Sequence, residues 1–335
     1  MSKIVRYSGS DRMTHMLVAL LFILAAISGL AFFHPSLFFL SNVLGGGQLS
    51  RILHPFIGVA MFVLFVVFLY GPMFTIFILS FQGPEGGLTF PLQGMSLHWF
   101  HKLAEGLGVV DIGAALKRSL ALGAVVMTLT MVLSVLAGLA FRKKTWRAAD
   151  PLFYVTVASL IMPSIIVSLG IGLQFRLLDH ALKGLLEAWG MQSQLENFGT
   201  SLGLYTSALG AHLTWTLPFG LLIMFAVFNR FNPAYEEAAQ DLGATPWQTF
   251  KHVVFPLIAP SVVGVGMFGF TLSWDEIART SQAIGDVNTL PLELQGLTTT
   301  VTNPAIYALG SLTTLVSFLV MSLTLWLVRW LNRQR

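Results

Sequence analysis

Asp275 and Glu276 are adjacent carboxylates at the end of a long apolar run, FGFTLSW. An ionisable side chain at membrane depth costs about 2.5–3.5 kcal/mol on insertion scales, so it faces a cavity or a partner. Two neighbouring carboxylates attract cations. Ser273 and Thr271 could add hydroxyl oxygens, although hydroxyls in apolar helices also serve helix packing. Arg279 offers another use for the pair. It lies four residues after Asp275 and three after Glu276, spacings that bring side chains together on a helix. Substrate contact, an internal ion pair and a solvated helix end are three readings of the same residues. Trp215 presents a ring face that an organic cation could stack on, or it is an interfacial or core tryptophan. His212 nearby reads as a satisfied core histidine.

These residues need a scaffold, and composition defines it. The chain has 335 residues, of which 55% are hydrophobic and 10% charged. Soluble domains carry roughly a quarter charged residues, so this is a polytopic membrane protein. Apolar runs of about 20 residues select helices over a barrel. Seven such runs occur, at 13–33, 55–81, 119–141, 152–175, 203–228, 257–274 and 308–330. Met162-Pro163 and the stretch HLTWTLP (His212–Pro218) are expected to interrupt two of them. The amphipathic stretch LLDHALKGLLEAWG in the 176–202 connector predicts an interfacial helix.

Charge sets the orientation. Arg142, Lys143, Lys144 and Arg147 place the 142–150 loop in the cytoplasm, and alternation then brings 229–256 and the tail with Arg329, Arg333 and Arg335 to the same side. No Lys/Arg cluster is interleaved with aromatics, which argues against nucleic acid as a partner. The absence of cysteine excludes disulfides and thiolate metal sites. Ala31-Phe32-Phe33-His34 is a poor cleavage site, so the first apolar run is read as retained.

One polar interruption stands out: YEEAAQDLGATPWQTFKHVVFP, residues 235–256. Asn232 can cap a helix beginning at Pro233. Glu236 and Glu237 suit the positive N-terminal end of that helix. Gly243 can adopt the left-handed conformation that stops it and lets two helices turn sharply and pack closely. Thr245-Pro246-Trp247-Gln248 is a second start signal, with Gln three residues after a Thr cap. Ala238 and Ala239 leave a smooth surface for a partner, and Pro256 marks the return to the membrane.

The order Glu237-Ala238-Ala239, then Gly243, then Val253-x-Phe255-Pro256 resembles the signature cytoplasmic loop of ABC-transporter inner-membrane permeases. Val253 and Phe255 stand where that family usually has Ile and Leu. FGFTLSWDEIARTSQAIGDVNTLPLEL with NPAIYALGSL is similar to spermidine/putrescine-type permeases, over about residues 66–335. The resemblance implies an all-α membrane protein with a six-helix importer core in the bacterial inner membrane. It implies no cofactor and no catalytic residue. The partners it implies are cytoplasmic ATPase subunits docked on the hairpin, a second permease subunit, homologous or identical, a periplasmic solute-binding protein, and the lipid bilayer around the helices. The chain has no phosphate-binding Gly-x4-Gly-Lys-Ser/Thr loop, so hydrolysis would belong to a partner. Polyamines, as extended polycations, would suit Asp275 and Glu276, with Ser273 and Trp215 as further path candidates.

Residues 1–65 form a hydrophobic extension that the permease family lacks. MTHMLVALLFILAAISGLAFFHPSLFFL and RILHPFIGVAMFV resemble the first two helices of the cytochrome b subunit of formate dehydrogenases. His15 and His54 match haem-ligating positions there, but the later helices that supply the opposite imidazoles are absent. A haem-bearing redox anchor is the alternative function. Seven crossings would also put Lys3, Arg6 and Arg12 outside, against the charge rule, unless 13–33 lies in the interface.

Overall fold

The computed structural model describes residues 9–106, 110–142 and 149–333. Lys3, Arg6, Lys143, Lys144, Arg147 and Arg335 lie outside the described residues. The described residues are helical, with seven helices long and apolar enough to cross a membrane. The chain divides into two compact units, Met1–Leu79 and Ser80–Arg335. The division expected at 65/66 falls inside a continuous helix.

The first unit holds α1 (Gly9–Phe33), a 3-10 segment (Pro35–Leu44) and α2 (Gly47–Leu79). Gly45, at φ 82°, closes the 3-10 segment, and its N–H donates to the carbonyl of Asn42 or Ser41. The connector expected over 34–54 is therefore structured, and His54 sits inside α2. Within this unit Ser28 Oγ and His54 Nδ1 are 2.7 Å apart.

The second unit holds α3 (His98–Glu105), α4 (Ile112–Arg142), α5 (Ala149–Ala158), α6 (Ser164–Ala188), α7 (Gln192–Asn197), α8 (Leu209–Asn229), α9 (Ala234–Asp241), α10 (Pro246–Thr249), α11 (Phe255–Trp274), α12 (Leu290–Thr300) and α13 (Ala305–Arg333). Its centre is α4, packed against α8 and α11. Small residues let the backbones approach, as usual for helices that associate in lipid. A methyl group at Gly220 of α8 would lie 2.1 Å from Ser134 Oγ of α4, and one at Gly266 of α11 would lie 2.6 Å from Met131 Sδ. Val135, Met224, Phe228, Ile258 and Val265 fill one end of this core. Trp99, Ile112, Phe270, Trp274 and Leu309 fill the other. Between them Thr130 and Thr216 share a buried hydrogen bond of 2.8 Å.

The expected break at Met162-Pro163 occurs, and two other expectations are corrected. The 152–175 run is broken into α5 and α6 at residues 159–163, where Met162-Pro163 lies. The amphipathic stretch after Phe175 is no separate interfacial helix but the second half of α6. Nothing between Phe175 and Leu177 stops a helix, so the polar face begins without a break. Conversely, α8 runs through Pro218 uninterrupted. Proline deprives the carbonyl four residues earlier of its donor. That carbonyl is Thr214's, and Ser159 Oγ donates to it at 2.8 Å from the α5–α6 break.

Candidate functional site

The hairpin between α8 and α11 is built by local signals. Asn232 Oδ1 accepts from Ala234 N–H at 3.0 Å. Pro233 takes the cap position, one residue later than the sequence suggests. At the far end Gly243, at φ 85°, donates to Gln240 O and Ala244 donates to Ala239 O. This crossed pair of bonds is the Schellman closure of a helix. Thr245 and Gln248 then form a reciprocal capping box that starts α10. A side chain at Gly243 would meet nothing within 4 Å. Glycine is needed for the left-handed backbone and the sharp turn, and not for close packing of the two helices, which corrects that part of the sequence reading.

An ion pair from Glu236 to Arg142 fastens α9 to the end of α4. The Arg142 guanidinium also lies 5.8 Å from the Phe228 ring and 5.9 Å from the Phe231 ring. This pairing of the basic end of α4 with the hairpin puts both on one side, as the charge rule requires. Sequence reasoning missed it because the partners are 94 residues apart. Glu237, Ala238 and Pro256 are placed differently from Glu236. Glu237 and Ala238 are exposed, Ala239 is half-buried, and Pro256 lies in the first turn of α11. Leu242 is 90% exposed and Trp247 68% exposed, so the hairpin offers apolar tips to a partner.

At the opposite end of α11 the four path candidates do not converge. Ser273 is buried and its Oγ lies 2.8 Å from His212 Nδ1. The other imidazole nitrogen lies 2.8 Å from Thr280 Oγ1. Glu276 turns back to accept the backbone N–H of Arg279 at 2.8 Å. The Arg279 guanidinium is fully buried, lies 4.8 Å from the centre of the Trp215 ring, and donates to Thr214 Oγ1. Trp215 thus already carries a cation from its own chain. No Arg279–carboxylate ion pair occurs among the described residues. Ser168 of α6 donates to Arg279 O at 2.8 Å and accepts from Gln282 N–H at 3.1 Å. The result is a knot of hydroxyls, imidazole and guanidinium tying α6, α8 and the 275–289 segment together.

Asp275 stands apart. It is exposed and lies just beyond the apolar helix. It borders a cavity of about 450 Å³ between α11 and α13.

In the first unit the haem candidates occupy opposite ends of the helix pair. His54 contacts Ser28, whereas His15 borders a cavity with Phe22, Met61 and Phe65. Thirteen residues of helix separate the two levels, roughly 20 Å at 1.5 Å per residue. The two imidazoles cannot ligate one iron.

A helical membrane unit with a capped hairpin facing one side is the architecture of an importer permease, and comparison bears this out. Residues 112–333 match the family described as binding-protein-dependent transport system inner membrane component, and the chain belongs to that family. It is a multi-pass permease subunit of the bacterial inner membrane, a transport component and not an enzyme. Among its relatives is the putrescine transport system permease protein PotI of Escherichia coli (strain K12), 28% identical over 73% of this chain and 81% of that protein. The spermidine/putrescine transport system permease protein PotC of Haemophilus influenzae is 25% identical over 79% of this chain and 93% of that one. A solved bacterial ABC transporter involved in the import of the acidic polysaccharide alginate shares the fold, with a TM-score of 0.56, 16% identity, and coverage of 84% of this chain and 95% of that chain.

Proposed function

We propose that this chain forms part of the membrane pore of an importer for polyamines or a similar small cation. The observation that carries the reading is the alignment with permeases named for putrescine and spermidine over about three quarters of the chain. A second permease subunit completes the pore, a periplasmic binding protein delivers the solute, and two cytoplasmic ATPase subunits supply the energy. The hairpin is the lever. Leu242 and Trp247 insert into the ATPase surface, Glu237 meets a basic residue there, and the Arg142–Glu236 pair transmits the movement to α4.

Uptake of radiolabelled putrescine and spermidine against a panel of neutral and anionic solutes tests the substrate. Saturable polyamine uptake is expected, and transport of another solute class alone would refute the assignment. Gly243→Val tests the lever. The left-handed backbone costs a residue with a Cβ about 1–2 kcal/mol, enough to misalign the hairpin without unfolding the chain. Uptake should fall at least about tenfold while membrane abundance stays near that of the parent. Unchanged uptake would remove the hairpin from this role.

A further inference from the structure

The cavity between α11 and α13 combines apolar walls with a cluster of oxygen-bearing side chains. Four hydroxyls line it: Thr271 from α11, and Thr313, Thr314 and Ser317 from α13. A hydroxyl has one hydrogen and two lone pairs, and here each hydrogen is committed to the hydroxyl's own helix. Thr271 donates to Met267 O at 2.9 Å, Thr313 and Thr314 each to Gly310 O at 2.8 Å, and Ser317 to Thr313 O at 3.1 Å. Their remaining lone pairs are the polar surface they offer. Asp275, also on the wall, is in no ion pair among the described residues and is an acceptor when ionised. The carboxyl-terminal end of α11 adds partial negative charge. Arg279, the nearest cation in the sequence, is engaged with Trp215 and Thr214 instead.

We propose that this cavity binds an ammonium group, with Asp275 supplying the charge and the threonine and serine oxygens the remaining acceptors. An alkylammonium carries only donors and a positive charge, so it complements the hydroxyl lone pairs and the Asp275 carboxylate together, whereas a carboxylate or phosphate would be repelled by Asp275. Met267, Met321 and Phe318 on the same walls suit the methylene chain of a diamine. The volume of about 450 Å³ falls within the range of small-molecule sites. The site deepens, and rests on, the reading of the chain as a permease for cations.

The chain has no cysteine, so Ser317→Cys gives this subunit one thiol, at the cavity, and its labelling is followed on this subunit in the assembled transporter in membranes. Its rate of modification by a trimethylammonium-ethyl methanethiosulfonate is compared with that by the sulfonatoethyl reagent, each relative to a free thiol. The cationic reagent should be favoured at least about tenfold. Asp275→Asn should abolish most of that preference, and putrescine should slow the cationic reaction. Equal relative rates would overturn the site. So would a thiol that neither reagent reaches until the complex is denatured, because another subunit then fills the space. Polyamine uptake without a charge preference removes the site and leaves the transport function standing. A charge preference in a transporter that imports no polyamine does the reverse.

Discussion

α2 and α8 are both long apolar helices containing proline, Pro55 and Pro72 in α2 and Pro218 in α8, and they fold into different kinds of surroundings. No residue in the most apolar stretch of α2 is buried, whereas close to half of that of α8 is. Both, α2 the more so, are apolar enough to span, and that alone does not tell lipid from protein surroundings. The placement of small and polar residues does. Gly58 and Gly71 of α2 face open space, while Gly220 of α8 abuts Ser134 and Val265. Polar side chains follow the same division. In the first unit Ser28 meets His54 and its own helix's carbonyls, and in the second His212 links Ser273 to Thr280 while Arg279 bonds Thr214. Apolar composition therefore says that a helix enters lipid, and crowded glycines with satisfied hydroxyls say that it enters protein.

The comparison breaks most visibly at the glycines. Gly220→Val would force a Cβ to within 2.1 Å of Ser134 Oγ and 3.0 Å of Val265 Cγ1. Overpacking of this kind costs about 1–3 kcal/mol, and a drop of several degrees in the detergent melting temperature is expected. Gly58→Val, the same substitution in α2, meets nothing within 4 Å and should leave the melting temperature nearly unchanged. Equal losses at both positions would show that the α2 surface is packed.

Next in size is His212→Ala. It strands the buried hydroxyl of Ser273 and removes the imidazole's bond to Thr280, whose own hydrogen still reaches the Glu276 carbonyl, at a cost of about 1–3 kcal/mol, readable in the same melts. The smallest effect belongs to Ser28→Ala in the first unit. It removes one hydrogen bond to His54 and should cost about 0.5–1.5 kcal/mol. A Ser28 loss exceeding the His212 loss would invert the ranking of the two units.

The hairpin was legible in the sequence because its signals are local. A Thr-Pro-x-Gln start, a glycine stop and an Asn-Pro entry each act within four residues. The spans were legible because lipid demands long apolar runs. Neither kind of signal reaches the knot around Arg279, whose partners Thr214 and Ser159 lie 65 and 120 residues away. Spacing alone paired Arg279 with Asp275 and Glu276, the residues nearest on a helix, yet residues 275–289 are turns and the guanidinium goes elsewhere. The amphipathic half of α6 was misjudged for a related reason. A change of face marks a change of solvent, and the helix itself continues through it.

The bond from Ser159 to the Thr214 carbonyl has a consequence for heredity. Proline at 218 creates an orphaned acceptor in α8, and the irregular backbone after α5 supplies the hydroxyl that adopts it. Two apparent defects in separate helices are thus mutually corrective. Losing the serine alone leaves the carbonyl wanting a donor, and losing the proline alone restores the helix's own donor and makes the hydroxyl redundant. The serine is therefore dispensable only once the proline has gone.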